Sequence, residues 1–383
     1  MFTKILIIPK FLRDHVFLNS SDKKFISFNK KKWSENSKKS NKSNEGIILI
    51  DLFYWFPWVY FWSHIVNFLI KRFNLRAKFF YFDLYGGGGS NFRIYIRKLT
   101  KLYNSFNVEE GITEYDFIYT KEEKNNYKKL FLKYVKNKRK LISFKKNNIL
   151  IGDLIYDTYL RITLKPTVRL NDPLLRKIFF RSLKILKETQ KYFKDNKIRY
   201  VMPSHVCYIT YGIISRVATT KNIPIIKIKS ENRGNSLFGL HKVSTKYCVD
   251  EPPYWDYQKI FKTFPVNEKQ KFLNIGKKIL KKRTSGNYDK NLPYMKGDQF
   301  SKGTKKIRFD KEKKSIIIFP HCYFDNPHRY RKMVFEDYYH QVKFFLDLSK
   351  KFTMYNWYYK PHPNELHSEL DVHKEILKNY KNI

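Results

Sequence analysis

Two histidine-bearing stretches late in the chain hold the residue types best suited to chemistry. In WYYKPHPNE, residues 357–365, His362 stands between Pro361 and Pro363, directly after an aromatic run of strand character. Neither proline has an N–H to give a sheet ladder, so the strand stops and His362 sits on a stiff, extended turn. Lys360 and Asn364 flank it. In FPHCYFDNPHRYR, residues 319–331, His321 and His328 are followed by Arg329 and Arg331. Histidines and fixed positive charge at a strand end suit a diphosphate leaving group, which must be neutralised as its bond to a sugar breaks. His321 and His328 could equally be buried structural histidines, and both readings stand.

Such a reaction also needs a base to take a proton from the acceptor hydroxyl. Asp153 and Asp157, in GDLIYDTYLR, are candidates, and Glu231, in SENRGN, is a rival. A carboxylate of GDLIYDTYLR could instead hold Arg161 in a structural pair. Read as polar strand ends facing a cleft, these stretches and PSH add Ser204, His205, Asn232 and Arg233 on an acceptor side. GGGGSN, with Gly86 and Gly87, lacks the G-x-G-x-x-G spacing and reads as an acceptor-side loop. His362, His367 and His373 fit no zinc spacing, so no metal is expected.

The elements that must position these residues follow from the pattern. Ile47–Phe53, a helix ending near Phe73, and Ala77–Tyr85 read as strand, helix, strand. Ile47–Ile70 is long enough to span a bilayer, but Asp51, Pro57, His64 and Asn67 favour the strand-and-helix reading. FRIYIRKLTKLYNSF has helical spacing. The clearest helix begins at Pro173, with Asn171 or Asp172 as its cap and Leu175, Ile178, Phe179, Leu183 and Leu186 as its buried stripe. RYVMPSH, YITYGIISRVATTKN and IPIIKIKS continue as strand, helix, strand. The alternation predicts an α/β fold with a mostly parallel sheet.

Residues 20–45, rich in Lys, Ser and Asn, read as a flexible surface segment, so residues 1–45 form a basic, partly flexible extension. Residues 46–281 make the first domain, and residues 282–313 have linker composition. Residues 314–383 start a second Rossmann-like pattern with two strand–helix units, about half the usual nucleotide-binding complement. An incomplete donor domain is therefore expected, with weak nucleotide binding and no transfer by this chain.

The chain has 383 residues, with 77 Lys and Arg against 34 Asp and Glu, a formal charge of +43. That balance favours polyanionic partners: an anionic membrane surface, a phosphorylated substrate or nucleic acid. Lys, Asn, Ile, Phe and Tyr are all abundant, the bias of an AT-rich genome, which weakens the inference. A mean hydropathy of −0.56 opposes a polytopic membrane protein. Cys207, Cys248 and Cys322 fit no disulfide framework and point to a reducing compartment. The opening MFTKILIIPKF is too short in apolar residues for a secretory leader.

YKPHPNE, together with the preceding PHCYFDNPHRYRKMVFEDYYHQV, resembles the bacterial surface-carbohydrate glycosyltransferases of the capsule and lipopolysaccharide type. GDLIYDTYLR and the W-x-P loop at residues 55–57 are similar to the same group, and the likeness runs loosely from Ile47 to Ile383. The resemblance implies a GT-B fold: two Rossmann-like domains with mostly parallel sheets, the second incomplete here. It implies metal-independent transfer of a sugar from a nucleotide-sugar donor to a lipid-linked or oligosaccharide acceptor, with no cofactor. The enzyme would be cytoplasmic and peripheral, on the inner face of the cytoplasmic membrane. In such families the His-Pro element contacts the donor phosphates, a role that falls on His362 with Lys360 beside it. The Lys-Pro-His-Pro signature is shared by Kdo transferases and by teichoic-acid glycerophosphotransferases, so a CDP-glycerol-type transfer is the alternative. A non-catalytic nucleic-acid-binding protein is a second alternative, opposed by basic residues that are scattered rather than grouped.

Overall fold

The computed structural model describes residues 17–40, 45–53, 56–84, 92–231, 237–242, 254–284, 312–329, 333–361, 367–380 and 383. Its strands are β1 (Ile47–Asp51), β2 (Arg76–Tyr81), β3 (Val108–Thr113), the short pair β4 (Lys145–Lys146) and β5 (Ile149–Leu150), β6 (Ile198–Met202), β7 (Ile226–Glu231), β8 (Leu237–Lys242), β9 (Ser315–Ile318) and β10 (Asn356–Tyr359). The fold is α/β with a parallel four-stranded sheet in the order β3-β2-β1-β6. An isolated parallel bridge, Val201 to Ile225, extends that order towards β7.

Every residue of β1 is buried, as the run IILI requires of a strand covered on both faces. The helix Phe56–Phe73 follows it and buries Trp58, Val59, Trp62, Val66 and Ile70. Among the described residues no helix is long and apolar enough to cross a membrane. The helix Pro173–Asp195 starts where the sequence placed it: the Asp172 carboxylate accepts from the Leu174 N–H at 3.0 Å, and all five residues of the expected stripe are buried.

Three local readings change. Residues 20–40 form a helix, Ser20–Ser40, instead of a flexible segment. It is held by few apolar groups: Phe25 is buried beside Asp22, which meets Lys98 at 2.7 Å, and Asn29, which donates to Ser105 at 3.0 Å. GDLIYDTYLR is not a strand end but the helix Gly152–Thr163, with nine consecutive buried residues. Its first residue has to be small, because a Cβ on Gly152 would stand 1.8 Å from the Leu141 carbonyl oxygen. β3, with the sequence VEEGIT, had no counterpart in the sequence reading. It is an edge strand with Glu109 and Glu110 exposed, the charged composition expected of an edge.

The chain divides into two compact units. One comprises Met1–Ile162, Leu170–Ile228 and Leu240–Asp250; the other comprises Thr163–Arg169, Lys229–Gly239 and Glu251–Ile383. In the second, β9 and β10 pair in parallel, and the helix Tyr338–Lys351 lies between them in sequence. Ile318, Tyr323, Val342, Leu346, Trp357, Ile376 and Tyr380 form a core. Most of the expected linker, residues 285–311, lies outside the described residues.

Candidate active site

In a doubly wound parallel sheet, ligands bind outside the carboxyl ends of the strands, where the strand order reverses. Here the reversal falls between β1 and β6, which lie side by side and lead onward to β2 and to Ile225 on opposite flanks. β1 ends in Asp51, and β6 runs on into Pro203, Ser204 and His205. Both Ser204 groups turn to Asp51: its N–H donates to the carboxylate at 3.2 Å, and its hydroxyl makes a short hydrogen bond to the same oxygen. The His205 Nδ1 lies 3.0 Å from Ser204 Oγ.

Both Asp51 and Ser204 are buried. Burial pushes the Asp51 carboxyl up to about 7, a rise the Ser204 hydroxyl and N–H only partly offset. With the Ser204 proton directed at Asp51, Oγ has lone pairs to accept the His205 Nδ1–H, which leaves the imidazole lone pair on Nε2. The ring is only partly buried and is held by aromatic neighbours. Trp58 stacks on it at 5.9 Å, Phe53 meets it edge-on at 5.7 Å and Tyr211 lies at 5.4 Å. Tyr103, fully buried, fixes the exit of β1: its hydroxyl lies 2.9 Å from the Asp51 carbonyl oxygen and accepts from the Phe53 N–H at 3.0 Å. The exits of β2 and β3 are braced by Glu114, which accepts from the Asp83 N–H at 2.9 Å and pairs with Arg181.

Of the acceptor-side residues expected from the sequence, Ser204 and His205 come together here. Gly86, Gly87, Asn232 and Arg233 lie outside the described residues, as does the side chain of Glu231, the last residue of β7. The GDLIYDTYLR carboxylates both lie on the helix Gly152–Thr163. Asp153 is buried in a bidentate pair with Arg216, at 2.5 and 2.7 Å. Asp157 is buried on the same helix, with 1% of its surface exposed. Thr158 accepts from the Ile209 N–H at 2.9 Å, and the Tyr159 hydroxyl donates to Asp172 at 2.6 Å. Asp153, Thr158 and Tyr159 thus tie this helix to its neighbours.

Asp51 was missed in the sequence as a functional candidate. The available signal was the one that singled out PSH: an apolar strand closing on a polar residue.

In the second unit, His362 and Asn364 lie outside the described residues. Lys360, whose N–H donates to the Ile318 carbonyl at 3.0 Å, marks the carboxyl edge of β9 and β10. It lines a cavity of about 380 Å³ with Phe319, Tyr358 and Leu377. His321 is exposed, with its ring stacked on Tyr338 at 4.7 Å. His328 is buried, and Arg329 closes a turn by donating its N–H to the Asn326 carbonyl at 3.0 Å. Among the described residues no three His, Cys, Asp or Glu side chains gather as a metal site. Comparisons with protein-family models, with curated proteins and with solved structures gave no match.

Proposed function

We propose that the chain is a glycosyltransferase of GT-B architecture. It moves a sugar from a nucleotide-sugar donor to the hydroxyl of a lipid-linked or oligosaccharide acceptor in bacterial surface-polysaccharide synthesis. The observation that carries this reading is the Asp51–Ser204–His205 chain at the switch point of a parallel sheet. A partly exposed imidazole is oriented there by a buried serine and carboxylate. In the proposed step, His205 takes the proton of the acceptor hydroxyl as its oxygen bonds to the sugar carbon. The carbon–oxygen bond to the diphosphate breaks, and the nucleoside diphosphate leaves with the electron pair. By the Lys-Pro-His-Pro resemblance, neutralising the charge on it is the role expected of His362 and Lys360. This reading favours His205 over the candidates Asp157, Asp153 and Glu231; of these, the Asp153 carboxylate is committed to Arg216.

The test is to incubate the purified chain with UDP-, GDP-, CDP- and CMP-linked donors and to follow nucleotide release and binding. One nucleotide should bind and be released; release by this chain would overturn the expectation that its second domain is too incomplete for transfer. His362→Ala should cut turnover about 10²-fold, the size of losing one preorganised donor. Release of glycerol phosphate from CDP-glycerol, with every sugar nucleotide inert, would replace this reading with glycerophosphate transfer.

A further inference from the structure

The helices Ser20–Ser40 and Phe56–Phe73 pack side by side in the first unit. The rings of Phe25 and Tyr60 lie 6.2 Å apart, and those of Trp33 and His64 5.5 Å apart. The outward face of this pair mixes large aromatic rings with cations. On the first helix Lys24, Phe28, Lys31 and Lys32 are exposed, at spacings that set them along one side, next to the buried stripe of Asp22, Phe25 and Asn29. The Lys32 ammonium lies 5.2 Å from the Phe28 ring and 5.0 Å from that of Trp33. On the second helix Tyr60 and Phe68 are 46% and 61% exposed, and Lys71 and Arg72 follow on the same side.

Negative charge is scarce here. Phe56–Phe73 contains no acidic residue; Ser20–Ser40 holds two, Asp22, turned inward to Lys98, and Glu35, against seven lysines. Exposed phenylalanines cost free energy in water, and lysines beside them resist a neutral partner. Both conditions are met by one environment, the headgroup layer of an anionic bilayer, which takes aromatic rings and pairs cations with lipid phosphates.

We propose that this two-helix face docks on an anionic bilayer surface. Phe28, Tyr60 and Phe68 enter the headgroup region, and Lys24, Lys31, Lys32, Lys71 and Arg72 meet the lipid phosphates. The docking stands independently of glycosyl transfer. Trp58, which stacks on His205, stands in the first turn of the second of these helices, so the same element joins the candidate site to the docking face.

Co-sedimentation of the purified chain with vesicles of phosphatidylcholine, alone or mixed with phosphatidylglycerol, tests this. The chain should pellet with the anionic vesicles only and leave them as salt rises. The triple variant Lys24→Gln, Lys31→Gln, Lys32→Gln should lose about 100-fold in partitioning. Phe28→Ser with Phe68→Ser should lose about 10-fold and keep the salt dependence. Circular dichroism and melting curves matching the parent would show that both variants fold. Lys128→Gln, Lys129→Gln, Lys133→Gln, the same charge change on the helix Lys121–Tyr134, should bind as the parent does. Equal loss in that control would mean that diffuse charge binds, and would overturn the proposal. So would parent protein that ignores anionic vesicles, duplex DNA binding that alone responds to the lysine variant, or a dimer that the phenylalanine variant dissolves without any vesicle binding.

Discussion

The Ser204 hydroxyl donates to the Asp51 carboxylate across 153 residues of sequence, joining the carboxyl ends of the two central strands. Because Asp51 is buried, its proton is held more tightly in the native state than in the unfolded chain. It therefore contributes stability below about pH 4 that is lost as pH rises towards about 7. Compared with Asp51→Asn, the parent should lose of order a few kcal/mol across that window. Denaturant unfolding of the two proteins at a series of pH values measures the difference. A difference that does not change with pH would place the Asp51 titration elsewhere.

The contact between His205 Nδ1 and Ser204 Oγ separates two roles at this site. His205→Ala should lower transfer by about 10²–10⁴-fold while leaving nucleotide binding in place. Ser204→Ala removes the acceptor of Nδ1–H without removing the imidazole, so the loss should be smaller and the pH profile of kcat/KM should move. An unmoved profile would make Ser204 a packing residue only.

Asp153 and Arg216 are both buried and hydrogen-bonded to each other twice. Removing one partner strands the other charge, at a cost of about 3–5 kcal/mol. Asp153→Ala and Arg216→Met should each destabilise by that order, and the double variant by much less than their sum. Additive losses in a double-mutant cycle would show that the pair does not act as a unit.

In the second unit, the fully buried Asp337 carboxylate accepts from the His340 N–H at 2.9 Å and from the Thr167 hydroxyl at 2.6 Å. It caps the helix Tyr338–Lys351. Asp337→Ala should cost about 2 kcal/mol, and Asp337→Asn, which keeps an accepting oxygen, clearly less. Hydrogen exchange of the amides of β9, β10 and the capped helix reports the change.

The legible parts of the sequence were those whose cause is local. The Pro173–Asp195 helix carries its own cap, stripe and length, and β1 carries its own run of isoleucines and leucine. What escaped depended on distant partners. The Ser20–Ser40 helix buries Asp22 and Asn29 only because Lys98 and Ser105 wait for them, so its composition looks like that of a loop. GDLIYDTYLR reads as a row of available carboxylates until Arg216 is folded against it. For the candidate site, PSH was visible as a strand end, whereas the role of Asp51 became apparent only when β6 was laid beside β1.

That adjacency has a consequence for how the protein is made. β1 is paired on one side by β2, which soon follows it, but its other edge stays open until β6 arrives. With Ser204 placed 153 residues after Asp51, a ribosome adding about 5–20 residues per second takes about 8–30 s to supply the missing strand. During that interval the nascent chain exposes an isoleucine-rich ladder of unpaired backbone groups, the template on which sheets from different chains join. Synthesis of this protein should therefore lean on chaperones in proportion to how slowly the stretch between β1 and β6 is translated.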